Sequence, residues 1–93
     1  MDDKILNILL VEDDEVDIMN VKRAFKKNKI SNPLFIARNG LEALAMLRGN
    51  DENIAKLDPL PKVILLDLNM PKMGGLEFLH QIRNDSALKS ISV

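Results

Sequence analysis

Two nearly continuous apolar runs, each stopped by carboxylates, constrain this chain more than anything else in it. Ile5-Leu6-Asn7-Ile8-Leu9-Leu10-Val11 ends at four acids, Glu12 to Glu15, and Val63-Ile64-Leu65-Leu66 ends at Asp67. An apolar run without the alternation of a half-exposed strand suits a strand covered on both faces, which in globular proteins is a parallel strand between layers of helix. Both runs therefore read as strands of one parallel sheet, the first of them central, with their acids beyond the carboxyl ends.

Between the two runs the periodicity changes. From Val16 to about Lys29, Ile18, Val21 and Phe25 recur at helical spacing, with acids at the start and Lys22, Arg23, Lys26, Lys27 and Lys29 towards the end, the order that suits a helix dipole. Ser31-Asn32-Pro33 breaks this helix, and Leu34-Phe35-Ile36-Ala37 reads as a second strand. Asn39-Gly40 leads into a second amphipathic helix carrying Leu41, Leu44, Ala45 and Leu47, which ends near Arg48-Gly49. The polar stretch from Gly49 to Pro61, with prolines at 59 and 61, predicts a long connection to the third strand. After Asp67 come the turn residues Asn69, Pro71, Gly74 and Gly75, then Leu76, Leu79 and Ile82, with Phe78 beside them, as a third helix. Ser90-Ile91-Ser92-Val93 reads as the opening of a fourth strand. Three alternations of strand and helix predict an α/β fold: an open, doubly wound parallel sheet with helices on both faces and right-handed crossovers.

Composition narrows the classes of function. With 93 residues the chain is one domain at most; 46% hydrophobic and 29% charged residues argue for a packed core rather than disorder. A formal net charge of −1 lacks the basic excess of a nucleic-acid binder. The absence of cysteine excludes disulfides, zinc-thiolate sites and iron–sulfur clusters and fits a cytoplasmic setting. The first apolar run is too short and wrongly flanked for a secretory signal or a membrane span.

In open parallel sheets ligands bind beyond the carboxyl ends of the strands, where Glu12, Asp13 and Asp67 fall. If the first and third strands are neighbours, about 4.8 Å apart, these carboxylates converge on one small site. Three acids that close repel one another, so either a pKa rises or a cation neutralises them. An all-oxygen set favours a hard ion, Mg²⁺ first and Mn²⁺ second. Mg²⁺ held by few protein ligands keeps open positions, as phosphoryl-transfer sites require, and an aspartate such as Asp67 can itself accept a phosphoryl group as an acyl phosphate. Asp14, Glu15 and Asp17 read instead as helix N-terminal charges.

The residues carry a resemblance. Ile8-Leu9-Leu10-Val11-Glu12-Asp13-Asp14 resembles the first-strand motif of response-regulator receiver domains. Val63-Ile64-Leu65-Leu66-Asp67-Leu68-Asn69-Met70-Pro71-Lys72-Met73-Gly74-Gly75-Leu76-Glu77 resembles their phosphoacceptor strand and loop, and Asn39-Gly40 with Glu42-Ala43 is similar to the start of their second helix. The resemblance implies a flavodoxin-like sheet, of which residues 1–93 would supply three strand–helix units and the start of a fourth strand out of five. It implies Asp67 as the phosphorylated aspartate, Asp13 as the acid that binds Mg²⁺ directly, Glu12 as its partner and the Asn69 backbone carbonyl as a further ligand. It also implies a sensor histidine kinase as donor. The long Gly49 to Pro61 connection with Leu60-Pro61-Lys62-Val63 resembles the single-domain regulators that accompany bacterial phytochrome kinases. The family's hydroxyl residue on the fourth strand and lysine on the fifth would fall after Val93, so residues 1–93 alone are expected to leave the third strand at a sheet edge, open to self-association.

Two other readings compete with the phosphoacceptor. An aspartyl-phosphate phosphatase or phosphotransferase commonly places a second acid two residues after its nucleophile, and that position here is Asn69. A receiver-like interaction module that never carries phosphate is the third reading. Lys62, at the far end of its strand, and Lys72, in the loop, are poor phosphate ligands. His80, the only histidine, reads as a surface residue of the third helix, and the five methionines as core filler or loop residues.

Overall fold

The computed structural model of the chain describes residues 6–67 and 74–93; Asn69, Pro71 and Lys72 lie outside the described residues. The elements run β1 (Ile8–Val11), α1 (Glu15–Lys27), β2 (Leu34–Ala37), α2 (Gly40–Arg48), β3 (Val63–Leu66) and α3 (Gly75–Arg83). The three strands form one parallel sheet in the order β2-β1-β3, with Val11 level with Ala37 on one side and Leu66 on the other. The expected doubly wound arrangement with β1 at its centre is therefore present.

Local chemistry sets the helix ends. Asp14 Oδ1 accepts from the N–H of Val16 at 2.8 Å and of Asp17 at 3.4 Å, which caps α1, while Glu15 and Asp17 occupy its first turn and Lys26 and Lys27 its last. The predicted role of these acids holds. Asn39 Oδ1 caps α2 through the N–H of Glu42 at 2.8 Å. At the other end Gly49 takes a left-handed conformation with φ 69°, and the Lys56 side chain packs so close above it that an added Cβ would stand 2.8 Å from Lys56 Cδ.

Burial follows the alternation of the strands. Leu9, Val11, Ala37 and Ile64 pack into one cluster with Ala43, Leu44, Met46 and Leu47 of α2 and Phe78 and Ile82 of α3. Leu10 alternates to the opposite face of the sheet and is also buried, as is Ile18 of α1; neither belongs to that cluster. Each such aliphatic or aromatic side chain contributes about 1.5–3 kcal/mol of transfer free energy when fully buried.

Four details depart from the sequence reading. β1 starts at Ile8, because Asn7 turns inward: its backbone carbonyl accepts from Lys62 N–H and its side-chain Nδ2 donates to Pro59 O, both at 2.8 Å, while Leu6 is exposed. The buried stripe of α3 is Gly75, Phe78 and Ile82, with Leu76 69% exposed, and on α2 Leu41 is 57% exposed. The connection from Gly49 to Pro61 is not merely polar: Leu57 is buried in the main cluster, Ile54 and Leu60 pack against it, and Leu57 N–H donates to Met46 O at 2.8 Å. Met19, finally, is an exposed helical methionine on α1, neither core filler nor loop residue, whereas Met46 is in the core as expected.

The end of the chain turns back to the sheet. Ser92 bridges Val63 in parallel, and Ile64 N–H donates to Ser92 O at 2.8 Å, so the predicted fourth strand begins beside β3 as a single bridge. Arg83 Nη1 holds this segment by donating to Lys89 O at 2.6 Å and to Ile91 O at 3.0 Å. His80 is exposed on α3, as expected. No described helix is long and apolar enough to cross a membrane.

Candidate metal and phosphoacceptor site

Strand order decides where a ligand would meet this sheet. The chain leaves β1 towards β2 and returns past β1 to β3, so the crevice at the carboxyl ends of β1 and β3 is the point at which successive connections diverge. Two backbone bonds align the residues there. Glu12 N–H donates to Ala37 O at 2.9 Å, and Asp67 N–H donates to Val11 O at 3.1 Å. Both acids are thus tied to the central strand or its neighbour at the positions where regular pairing stops.

The geometry brings together three of the four residues picked out from the sequence. Glu12, Asp13 and Asp67 each offer a carboxylate oxygen, and these oxygens lie within 4.8 Å of one another. Glu12 is buried, Asp67 half-buried and Asp13 exposed, so the cluster opens to solvent on the Asp13 side. Asn69 lies outside the described residues.

Burial pushes the Glu12 carboxyl above its ordinary value, and the adjacent Asp67 and Asp17 push it further; the N–H of Asp14, which donates to Glu12 Oε2 at 3.2 Å, opposes them. Burial and like charge together disfavour the ionised form of Glu12. A divalent cation would offset that cost, and the donors of the cluster are hard oxygens only, the set that suits Mg²⁺ or Mn²⁺.

The shift also sets a pH dependence of stability. A carboxyl whose folded-state pKa lies above its unfolded value is penalised when ionised, so the folded chain loses stability as pH rises from the ordinary 4.5 through the raised value, and keeps that deficit above it. In chelator, Glu12→Gln should therefore raise the melting temperature at neutral pH and lose that advantage below pH 4.5. An equal gain at both pH values would show that repulsion at Glu12 is not its source.

One neighbour escaped the sequence reading. Arg38, just after β2, forms an ion pair with Glu15 at the start of α1, beside the acidic cluster. Both side chains are more than half exposed, at 51% and 65%, so the pair contributes little to stability. Nothing in the spacing of residues 15 and 38 signals it; only the parallel pairing of β1 with β2 brings the two together.

The family model described as the response regulator receiver domain matches residues 8–93. Response regulator Rcp1 of Synechocystis is 44% identical over 88 residues, covering 92% of this chain and 57% of that protein. The solved Mn²⁺-bound form of Rcp1 matches with a TM-score of 0.79 and 42% identity, covering 92% of this chain and 60% of the other. The bacteriophytochrome response regulator AtBRR matches with a TM-score of 0.87 and 36% identity, over 97% of this chain and 64% of the other. The chain thus spans less than two thirds of the length of each of these relatives.

Proposed function

Because the chain belongs to the response regulator receiver family, we propose that it acts as a phosphoacceptor, with Asp67 receiving a phosphoryl group from a sensor histidine kinase. The observation that carries this reading is the convergence of Glu12, Asp13 and Asp67 at the switch point of the sheet, with Asp67 at the end of β3. A lone acid there would be an ordinary loop charge; three carboxylates with oxygens within 4.8 Å of one another support a cation site beside a nucleophile.

Glu12, Asp13 and Asp67 would hold Mg²⁺, with the Asn69 backbone carbonyl as a further ligand. When bound, the ion supplies positive charge against the equatorial oxygens of the group in transfer. The protein's own part is placement. Asp67 is fixed by its N–H bond to Val11, and its carboxylate oxygen attacks phosphorus as the bond to the donor nitrogen breaks, leaving an acyl phosphate and a donor imidazole that takes a proton from solvent. Glu12 must be ionised to serve as ligand, so its raised pKa makes ion binding and proton release two sides of one equilibrium. The likeness to the bacteriophytochrome response regulator AtBRR supports a phytochrome-type kinase as donor, and the mechanism fits a cytoplasmic protein.

Intact mass after incubation with acetyl phosphate and Mg²⁺ tests the proposal. The expected result is a labile adduct of about 80 Da that is absent from Asp67→Asn. An adduct retained by Asp67→Asn would move the acceptor to another residue. No adduct at all on the full-length protein would reject phosphate acceptance in favour of an interaction module.

A further inference from the structure

We propose that the outer edge of β2 is a docking groove for an extended peptide segment of a partner protein, apolar at alternating positions and carrying lysine or arginine at its ends. The register identifies the groups on offer. Ile8 N–H donates to Pro33 O and Glu12 N–H to Ala37 O, both at 2.9 Å, so in a parallel ladder the backbone groups of Phe35 and Ala37 face β1 while those of Leu34 and Ile36 face away. Because β2 is the outermost strand, these N–H and C=O groups meet no further strand among the described residues.

A groove of about 530 Å³ lies along this edge. Phe35 and Ile36 both line it although they point to opposite faces of the sheet, which places the groove at the margin of the strand. Met46 of α2 and Ile54 and Leu57 of the long connection supply apolar walls. An open apolar edge invites strand addition, and β2 carries neither lysine nor proline within Leu34–Ala37 to discourage it.

Charge chooses the segment. Glu42 and Asp58 line the groove and form no ion pair among the described residues. Lys56 lines it too, but its side chain packs over Gly49 at the end of α2. Among the described residues the two acids lack an ion-pair partner, which suits basic residues on the incoming strand; that strand would gain main-chain bonds at Leu34 and Ile36, apolar contacts with Phe35 and Met46, and charge pairing with Glu42 and Asp58.

Amide NMR on the full chain tests this with a capped heptapeptide of alternating valine and threonine ended by lysines, beside the same peptide ended by glutamates. The lysine peptide should shift the amides of Leu34, Ile36 and residues 54–58 saturably, and bind about 10-fold more tightly than the glutamate peptide. Glu42→Lys combined with Asp58→Lys should reverse that preference, and methylation of the peptide's pairing amides should abolish binding. Absence of shifts up to about 1 mM peptide, shifts confined elsewhere, or equal affinity for both peptides would overturn the proposal. So would concentration-dependent shifts of the same amides without peptide, which would assign the edge to a second copy of the chain.

Discussion

Asp13→Ala should lower the affinity for Mg²⁺ by at least about 10–100-fold, the loss that removal of even an outer-shell partner of a metal ligand produces. It should leave the ion-free fold almost untouched. The contrast arises from where Asp13 sits: it is exposed at the open side of the cluster, so its carboxylate is held by no buried packing, yet its oxygen lies within 4.8 Å of those of Glu12 and Asp67. Removing it takes away one of three negative charges that would face the ion, and relieves repulsion when no ion is present. The melting temperature in chelator should therefore stay level or rise slightly, while the Mg²⁺-dependent increase disappears. The sequence contains no tryptophan or tyrosine, so affinity is best measured by calorimetry or by amide shifts rather than intrinsic fluorescence. Phosphorylation by acetyl phosphate should slow in step with the lost affinity. Unchanged Mg²⁺ binding in Asp13→Ala would remove the proposed ligand set.

This cluster was legible in the sequence because each part of it is local. An apolar run and the acids that end it are neighbours in the chain, and a parallel sheet needs only the strand order to bring two such ends together. The central position of β1, the cap at Asp14 and the strand at Leu34–Ala37 were readable for the same reason. Features that depend on a distant partner were not. Asn7 looks like an interruption of a strand until Pro59 and Lys62 arrive to bond it. Leu57 looks like a stray apolar residue in a polar, proline-bearing loop, since a loop has no period to reveal which side faces inward. The ion pair of Arg38 with Glu15 joins residues 23 positions apart across two strands. In a helix as short as α3, finally, several apolar residues allow more than one stripe, and only the packing partner selects between them.

That selection on α3 can be measured. Phe78→Ala should destabilise the fold by about 3–5 kcal/mol, because a fully buried aromatic ring is replaced by a cavity that its neighbours only partly fill. Folded chains carry roughly 0.05–0.15 kcal/mol of stability per residue, on the order of 5–14 kcal/mol for 93 residues, so this single change removes a large share. Leu76→Ala, two residues earlier on the same helix, should change stability by no more than about 0.5 kcal/mol, because Leu76 is 69% exposed. Urea unfolding followed by circular dichroism reports both, and a constant slope would confirm that stability itself has changed. The ring also bears on the site: buried in the main cluster, it anchors the first turn of α3, which starts at Gly75 and follows Asp67 in the chain. Loosening that anchor should weaken Mg²⁺ binding in Phe78→Ala even where the chain remains folded, whereas Leu76→Ala should bind the ion normally. Comparable losses from the two substitutions would mean that α3 turns its Leu76 face to the core, and that the start of the helix is not held where the ring now holds it.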